Sequence, residues 1–241
     1  MENGIYIGLS RQMVERTNMD IIANNVANMS TPGYRGQNLI FAQMLDKPKG
    51  MDEQMSFVYD YGQYQMTKPG SLRTTGNPLD IAVTGPGFIG VIGADGQVAY
   101  SRNGNFMIGD DGTLRTTAGL QVANGGGGPI TVPEDASEIS IDERGVISTP
   151  DGEVGQIMIA EFANIQELEP LGNNSYKTSS PALPAENSRV KQGVLEGSNV
   201  EPVVEMTRMI ETLRNYQSIQ KVMDSENERL RGAIQRLTRG S

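Results

Sequence analysis

Three stretches of this chain hold residue types that could do chemistry at the spacing they have. Gly85-Pro86-Gly87-Phe88-Ile89-Gly90 has the G-x-G-x-x-G spacing of a dinucleotide loop and follows a stretch that reads as a strand. A dinucleotide site needs its third glycine to open a helix whose N-terminus faces the pyrophosphate. Here Val91-Ile92-Gly93-Ala94-Asp95-Gly96 continues as strand and turn, so a β-turn is the better reading. Asp110-Asp111-Gly112 and Asp142-Glu143-Arg144-Gly145 have the outline of calcium loops, but the spaced ligand set and the closing Glu are missing, and hairpin turns are favoured. Paired carboxylates that act on a glycoside must face each other across a cleft. The acids in the middle of this chain are scattered, as solvated acids on β surfaces are.

Composition narrows the chemistry further. The 241 residues include no His, no Cys and no Trp. Without His the commonest general base and metal ligand are gone, and any catalysis falls to carboxylates, Lys, Tyr or Ser. Without Cys there are no disulfides and no thiolate metal sites. The residues point to no catalytic site, no cofactor and no metal.

Charge is unevenly spread. Residues 1–50 hold five basic and four acidic side chains, and residues 201–241 hold seven and six. Residues 51–200 hold eight basic and nineteen acidic, a net of −11 that accounts for the whole excess of −9. Near-neutral ends suit close contact with copies of themselves. An acidic middle suits solvent and argues against nucleic acid or an anionic membrane as partner. No run of about eighteen apolar residues is present, so no membrane span is expected. Met1-Glu2-Asn3-Gly4-Ile5 lacks the basic and apolar regions of a cleaved secretory signal.

The elements that would carry these residues fall into three zones. Residues 4 to about 29 contain no proline and predict a helix with a stripe at Met19, Ile22, Val26 and Met29; Ile5, Leu9 and Met13 form an earlier patch out of that register. Ser30-Thr31-Pro32-Gly33 stops it, because Pro32 disfavours the α region at Thr31. Residues 37–45 lean to extended, and Lys47-Pro48-Lys49-Gly50 reads as a turn or linker. From Phe57 onward short strands alternate with Asp-Gly, Asn-Gly and Gly-Pro turns: residues 80–83, 88–92, 97–100, 105–108, 139–141 and 156–160. Gly112 to Gly119 and Gly145 to Gly152 share the pattern G-x-(L/I)-x-T-x-x-G, two hairpins of similar build, and Gly125–Gly128 reads as a hairpin tip.

The last forty residues hold the strongest periodicity. Met206, Met209, Leu213, Tyr216, Gln220, Met223, Asn227, Leu230, Ile234 and Leu237 step by three and four, and eight of the ten are apolar. That is the narrow 3.5-residue seam of a helix that meets other helices, with the other end of the same chain as nearest candidate. Ser198 or Asn199 is a fair N-cap, with Pro202 in the first turn. A helix over 201–237 would be roughly 55 Å long. Gln220 and Asn227 on the seam either face water or, if buried, fix register and partner number. Such a seam gains most of its stability from contact, so frayed ends are expected in a lone molecule.

Four stretches, spread over nearly the whole chain, carry a resemblance. Ala23-Asn24-Asn25-Val26-Ala27-Asn28-Met29-Ser30-Thr31-Pro32-Gly33-Tyr34 resembles the N-terminal signature of flagellar basal-body rod proteins, which the hook protein shares. Thr75 to Ala82 with Gly87-Phe88, Tyr100 to Phe106, and Gln192 to Val200 with Glu205-Met206 resemble the same family in the family's order. Shortness and Met55-Ser56-Phe57-Val58 resemble the proximal-rod members, with distal-rod or hook-type members the near alternative.

The resemblance implies an α+β fold with a mainly β middle: terminal helices pair as a coiled coil, and an antiparallel β-rich domain is inserted between them. It implies a division into residues 1–35 (N-terminal helix of an inner domain), 36–78 (extended), 79–185 (β-rich outer domain), 186–200 (return linker) and 201–241 (C-terminal helix). A structural, non-enzymatic subunit is implied, which joins other rod subunits into a helical tubular shaft. Export would run through the flagellar type III apparatus without signal cleavage, to the rod of the basal body in the periplasm. Assembly contacts would then fall to Leu9, Met13, Met19, Ile22 and Val26 with the C-terminal seam. Asn24, Asn25 and Asn28 could bond neighbouring backbone or another subunit, or simply cap the turn; Pro32 and Gly33 end the helix, and Tyr34 anchors the turn. A β-rich protein that binds or cleaves cell wall is the competing class.

Overall fold

In the computed structural model, residues 3–46, 55–93, 95–133 and 138–239 are described, with backbone alone at 3–5, 43–46, 55–60, 233–234 and 237–239. Lys47 to Gly50 therefore lies outside the described residues. The chain is α+β with a β-rich middle. It divides into two units: residues 1–27, 37–66 and 201–241 form one, and residues 28–36 and 67–200 the other.

The first unit holds α1 (Asn3–Ala27), the antiparallel hairpin β1 (Gln37–Asp46) and β2 (Met55–Gln65), and α2 (Pro202–Arg239). Val14, Ile21 and Leu39 form its buried cluster, so α1 rests on the root of the hairpin as well as on α2. The two helices run antiparallel. Gly8 meets Met223, Asn18 bonds Thr212 and Asn25 bonds Glu205, so position rises along one helix as it falls along the other. Pro202 takes the first helical position, where its missing N–H costs nothing, and Glu205 N donates to Glu201 O at 3.0 Å. Neither expected N-cap acts as one. Ser198 Oγ accepts from Val200 N, and Asn199 Oδ1 is taken by Gly36 N. Met29 falls beyond the end of α1 and is exposed.

The second unit begins with β3 (Leu72–Thr74), β4 (Ile81–Thr84), β5 (Phe88–Ile92) and β6 (Val98–Ser101). There follow β7 (Phe106–Ile108), β8 (Leu114–Thr116), β9 (Gln121–Val122), β10 (Ser140–Ile141), β11 (Val146–Thr149) and β12 (Gly152–Gln156). Last come β13 (Ile159–Glu161), β14 (Glu169–Gly172), β15 (Ser175–Lys177), β16 (Leu183–Pro184), β17 (Arg189–Gln192) and β18 (Val194–Glu196). The largest sheet runs β14-β15-β6-β5-β9-β8-β7, with β13 also on β5 and β16 on β13. Smaller ladders are β10-β11-β12, β17-β4 and β18-β3; all pairings are antiparallel.

Residues 156–160 do not form the single strand their composition suggests. β12 ends at Gln156, Ile157 N donates to Gly145 O and Met158 N to Ala123 O, and the chain then joins β5 at Ile159. Those two bonds carry it from one ladder to another. Ile81, Ile89, Val122, Leu114, Ile147 and Ile157 fill the main core, each worth about 1.5–3 kcal/mol when fully buried. Phe88, Phe162, Tyr176 and Tyr100 make a second, aromatic cluster with edge-on ring contacts of 4.7–6.1 Å.

Candidate functional site

The stretches singled out by sequence converge at two places, one in each unit. In the second unit, segment 28–36 lies against the β domain. Asn28 does turn chemistry: its carbonyl accepts from Thr31 N at 3.1 Å and its side chain from Thr31 Oγ1 at 3.1 Å. Pro32 O accepts from Asn174 Nδ2 at 2.8 Å, and Gly33 N donates to Glu196 O at 2.8 Å. Gly33 has φ +67°, and a Cβ there would overlap the backbone carbonyl of Arg102, so the glycine is required on two counts. Tyr34 O accepts from Asn199 N at 3.3 Å. Burial pushes the Tyr176 phenol up to about 12, with nearby Tyr34 adding to the rise.

Arg35, Arg102 and Glu196 then form a buried ion cluster. Glu196 Oε1 accepts from Arg35 Nη2 at 3.3 Å and from Gly70 N at 3.1 Å, and Oε2 accepts from Arg102 Nη1 at 3.3 Å. All three side chains are at most 4% exposed. Arg35 Nη1 also donates to Thr67 O at 2.6 Å and Lys68 O at 3.1 Å; Arg102 donates to Val83 O at 2.8 Å and Gly85 O at 2.5 Å and lies 4.9 Å from the centre of the Phe88 ring. Burial lowers the Arg102 guanidinium to about 10; Glu196 raises it and Arg35 lowers it further, so it stays charged at neutral pH. Asn199 completes the arrangement, accepting from Gly36 N at 2.7 Å and donating to Lys68 O at 2.8 Å. The chain thus leaves this unit after Gly36, re-enters it at Thr67 and leaves again after Val200 through one hydrogen-bonded knot.

A cavity of about 640 Å³ lies beside this knot, walled by Pro69, Pro86, Phe88 and Phe162 with Arg35 and Arg102 at its floor. The Nη donors of both arginines are directed at carbonyls and at Glu196, so the cluster is built to hold the chain. Its Nε–H groups are buried without an acceptor among the described residues, at a cost of about 1–3 kcal/mol each.

In the first unit, the buried side chain of Asn25 takes both main-chain groups of Gln37: its Nδ2 donates to Gln37 O at 2.8 Å and its Oδ1 accepts from Gln37 N at 2.9 Å. The same Nδ2 donates to Glu205 Oε2 at 3.2 Å, and Arg208 Nη1 donates to Glu205 Oε1 at 2.9 Å. Asn18 Nδ2 donates to Thr212 Oγ1 at 3.2 Å. Asn24 is exposed on the helix.

The helical seam differs by one residue from its apolar reading. Between Pro202 and Leu230, the buried or half-buried positions of α2 are Glu205, Met209, Thr212, Tyr216, Ile219, Met223, Glu226 and Leu230, again in a four-three rhythm. Met209, Tyr216, Met223 and Leu230 belong to both frames. Met206, Leu213, Gln220 and Asn227 give way to their N-terminal neighbours and are exposed. Two frames fit the rhythm, and Asn25 and Asn18 choose the one that brings them Glu205 and Thr212. Gln220 and Asn227 therefore face solvent in the single chain. On α1, Ile22 is buried and Met19 and Val26 half-buried, whereas Leu9 and Met13 are exposed. The side chains of Ile234 and Leu237 lie outside the described residues.

The glycine-rich and acidic motifs are structural. A Cβ at Gly85 would overlap Asn187 O, one at Gly87 would come within 2.6 Å of Ser188 Oγ, and one at Gly90 within 2.7 Å of Met158 Sδ. Asp111 bonds Thr113 and Arg115 across its turn, and its carboxyl is held well below the usual range by the Thr113 hydroxyl first and Arg115 next. Asp142 accepts from Val146 N and Arg144 N in the same manner. Asn124 Oδ1 closes the Gly125–Gly128 turn on Gly126 N and Gly128 N.

Comparison with known proteins accounts for this pattern. Family models described as "Flagella basal body rod protein", "Flagellar hook protein FlgE/F/G D1 domain" and "Flagellar basal body rod FlgEFG protein C-terminal" match residues 5–35, 82–149 and 191–236. The rod protein FlgF of Caulobacter vibrioides is 36% identical over 98% of both chains. The chain belongs to the flagellar basal-body rod protein family. FlgF of Salmonella typhimurium is 36% identical over 95% of both chains, and FlgG of Bacillus subtilis 32% over 97% of this chain and 98% of its own. As a member of this family the protein is a structural rod subunit of the flagellar basal body and not an enzyme. No helix among the described residues is long and apolar enough to cross a membrane.

Arg35, Arg102, Glu196, Glu205, Thr212 and Asn18 were missed as site residues by sequence reasoning. Arg102, Glu196 and Glu205 lie inside the quoted family stretches and Arg35 directly follows one. The seven-residue spacing shared by Asn18–Asn25 and Glu205–Thr212 was also open to view.

Proposed function

We propose that the chain is a proximal-rod subunit, FlgF-like, whose terminal helices pair as a coiled coil and then build a helical shaft with copies of itself and with other rod subunits. The observation that carries this is a second apolar stripe left uncovered by the first. Val203, Met206, Ile210 and Leu213 step by three, four and three along α2 and are 42–78% exposed. On α1, Tyr6, Leu9 and Met13 step by three and four and are 45–64% exposed. A lone soluble helix pair has no use for a second seam, whereas a helix in the wall of a tube touches neighbours on both flanks. Head-to-tail contacts that do not close into a ring generate such a tube, and rigid packed helices would transmit torque along it. Passage through the flagellar type III apparatus without signal cleavage, to the rod in the periplasm, belongs to the same reading.

The test is location and motility. A tagged chromosomal copy should copurify with basal bodies, at the proximal end of the rod in labelled particles, and its deletion should abolish swimming. Label at the distal end would favour the second reading, a FlgG-like distal subunit, which the 32% identity to the Bacillus subtilis protein over nearly the full length supports. A motile deletion strain with untagged basal bodies would refute both.

A further inference from the structure

Between α1 and α2 the contact is made of unlike layers at uneven spacing. Asn25 meets Glu205, and seven residues along each helix Asn18 meets Thr212, both at 3.2 Å. Ten residues further toward the start of α1 and eleven along α2, Gly8 meets Met223, whose Cγ and Sδ would lie 3.0 and 3.3 Å from a Cβ at that glycine. A helix-interior glycine is unfavourable against alanine; here it is the notch that lets a methionine pass. Glu205 and Thr212 are 3% and 5% exposed and Asn25 is 1% exposed, so these are interior polar groups, and each needs its partner.

We infer that these three layers are a register lock: they select α1 of the same chain, antiparallel and in one alignment, as the mate of the inner seam of α2. The alternatives fail one by one. Two α2 helices side by side in parallel would set Glu205 against Glu205 in an interior layer, with no amide between them. Sliding α1 one heptad along α2 one way puts Asn25 at Thr212 and leaves Glu205 opposite Pro32, beyond the helix. Sliding it the other way puts Arg11 at Thr212 and sets Asn25 before the start of α2. In both, Gly8 leaves Met223: the first slide sets Glu15 there, and the second carries Met223 past the start of α1. An all-apolar seam would pair more tightly but accept several of these arrangements, because apolar contact has no direction. The polar layers give up stability for one mate, which keeps the outer stripe of Met206 and Leu213 available to neighbours.

The chain contains no cysteine, so engineered pairs report alignment without background. Arg11 and Ile219 line the same cleft between the helices, and R11C/I219C reports the observed register. R11C/E226C, seven residues on, reports a one-heptad slip. In the otherwise native full chain, oxidation should close the first pair within one molecule and leave the second open. In the background N18L/E205L/T212L, with Asn25 kept for its bonds to Gln37, the slipped pair and dimeric crosslinks should rise about tenfold, as expected when a specifying polar layer is removed from a helical seam. The swap N18T/T212N keeps a hydroxyl facing an amide and should keep the native pattern. The inference is overturned if the leucine background holds the native register alone, if the swap slips, or if circular dichroism shows the leucine background has lost its helices, since the layers would then supply stability and no selection.

Discussion

Removing the charge of Glu196 tests the ion cluster most directly. Glu196→Gln keeps the shape of the side chain but leaves two guanidiniums, at most 4% exposed, with no counter-charge. Each pair is separated by 3.3 Å, which at an effective dielectric of about 20 corresponds to a gross attraction of about 5 kcal/mol. Arg35–Arg102 repulsion and the desolvation of three charges take back part of the total of two such pairs. Removing one member of a buried pair costs about 3–5 kcal/mol in practice, because the partner stays buried and unpaired. The urea midpoint of the β unit should fall by roughly 1–3 M and its Tm by about 10 °C, with the far-UV signal of the helices unchanged before the transition. D111N removes the charge from the exposed Asp111–Arg115 pair and should shift the midpoint far less than E196Q does. An E196Q protein within about 1 kcal/mol of the native chain would refute the reasoning, since the cluster would then be solvated or relaxed enough to need no anion.

Further outcomes follow from particular residues. G33A should cost about 2–5 kcal/mol, from the left-handed backbone and from overlap with Arg102. G119A, at φ +85° with nothing within 4 Å of a Cβ, should cost only about 1–2 kcal/mol; equal losses in urea titrations would remove the close-approach argument. Asp142 is held below its ordinary value, by the Val146 N–H first, and Glu161 is also lowered: burial raises it, but Ser188 and Asn187 bond its charged form and prevail. Folded values below unfolded ones mean stability that is whole above the ordinary carboxylate range and lost as the pH falls through the folded values, so the Tm of the β unit should drop as the pH falls below about 4. M206E/L213E alters two exposed positions, so the melting of the monomer should change little, while incorporation into basal bodies and swimming should be lost; a motile double variant would show that the outer stripe is not used.

The sequence by itself determined what depends on short-range rules. Proline-free ends with three-four periodicity made helices, Pro32 and Gly33 stopped the first of them, Gly and Asn/Asp turns cut the middle into strands, and an absence of His and Cys confined the chemistry. The motif stretches were also visible in it, and they named the family. What it left undecided was which of two equally periodic frames of α2 would be covered within the chain, because Met206 and Glu205 differ by one step and apolarity favoured the frame that stays exposed there. That choice was made by Asn18 and Asn25, 180 or more residues away in the chain. Likewise Arg35, Arg102 and Glu196 are ordinary charged residues in one dimension, and only the folded β unit, by burying all three, made one carboxylate answer to two arginines. Local conformation follows from neighbours in sequence; the partner of a buried polar group is set by whatever the fold brings within about 3 Å of it.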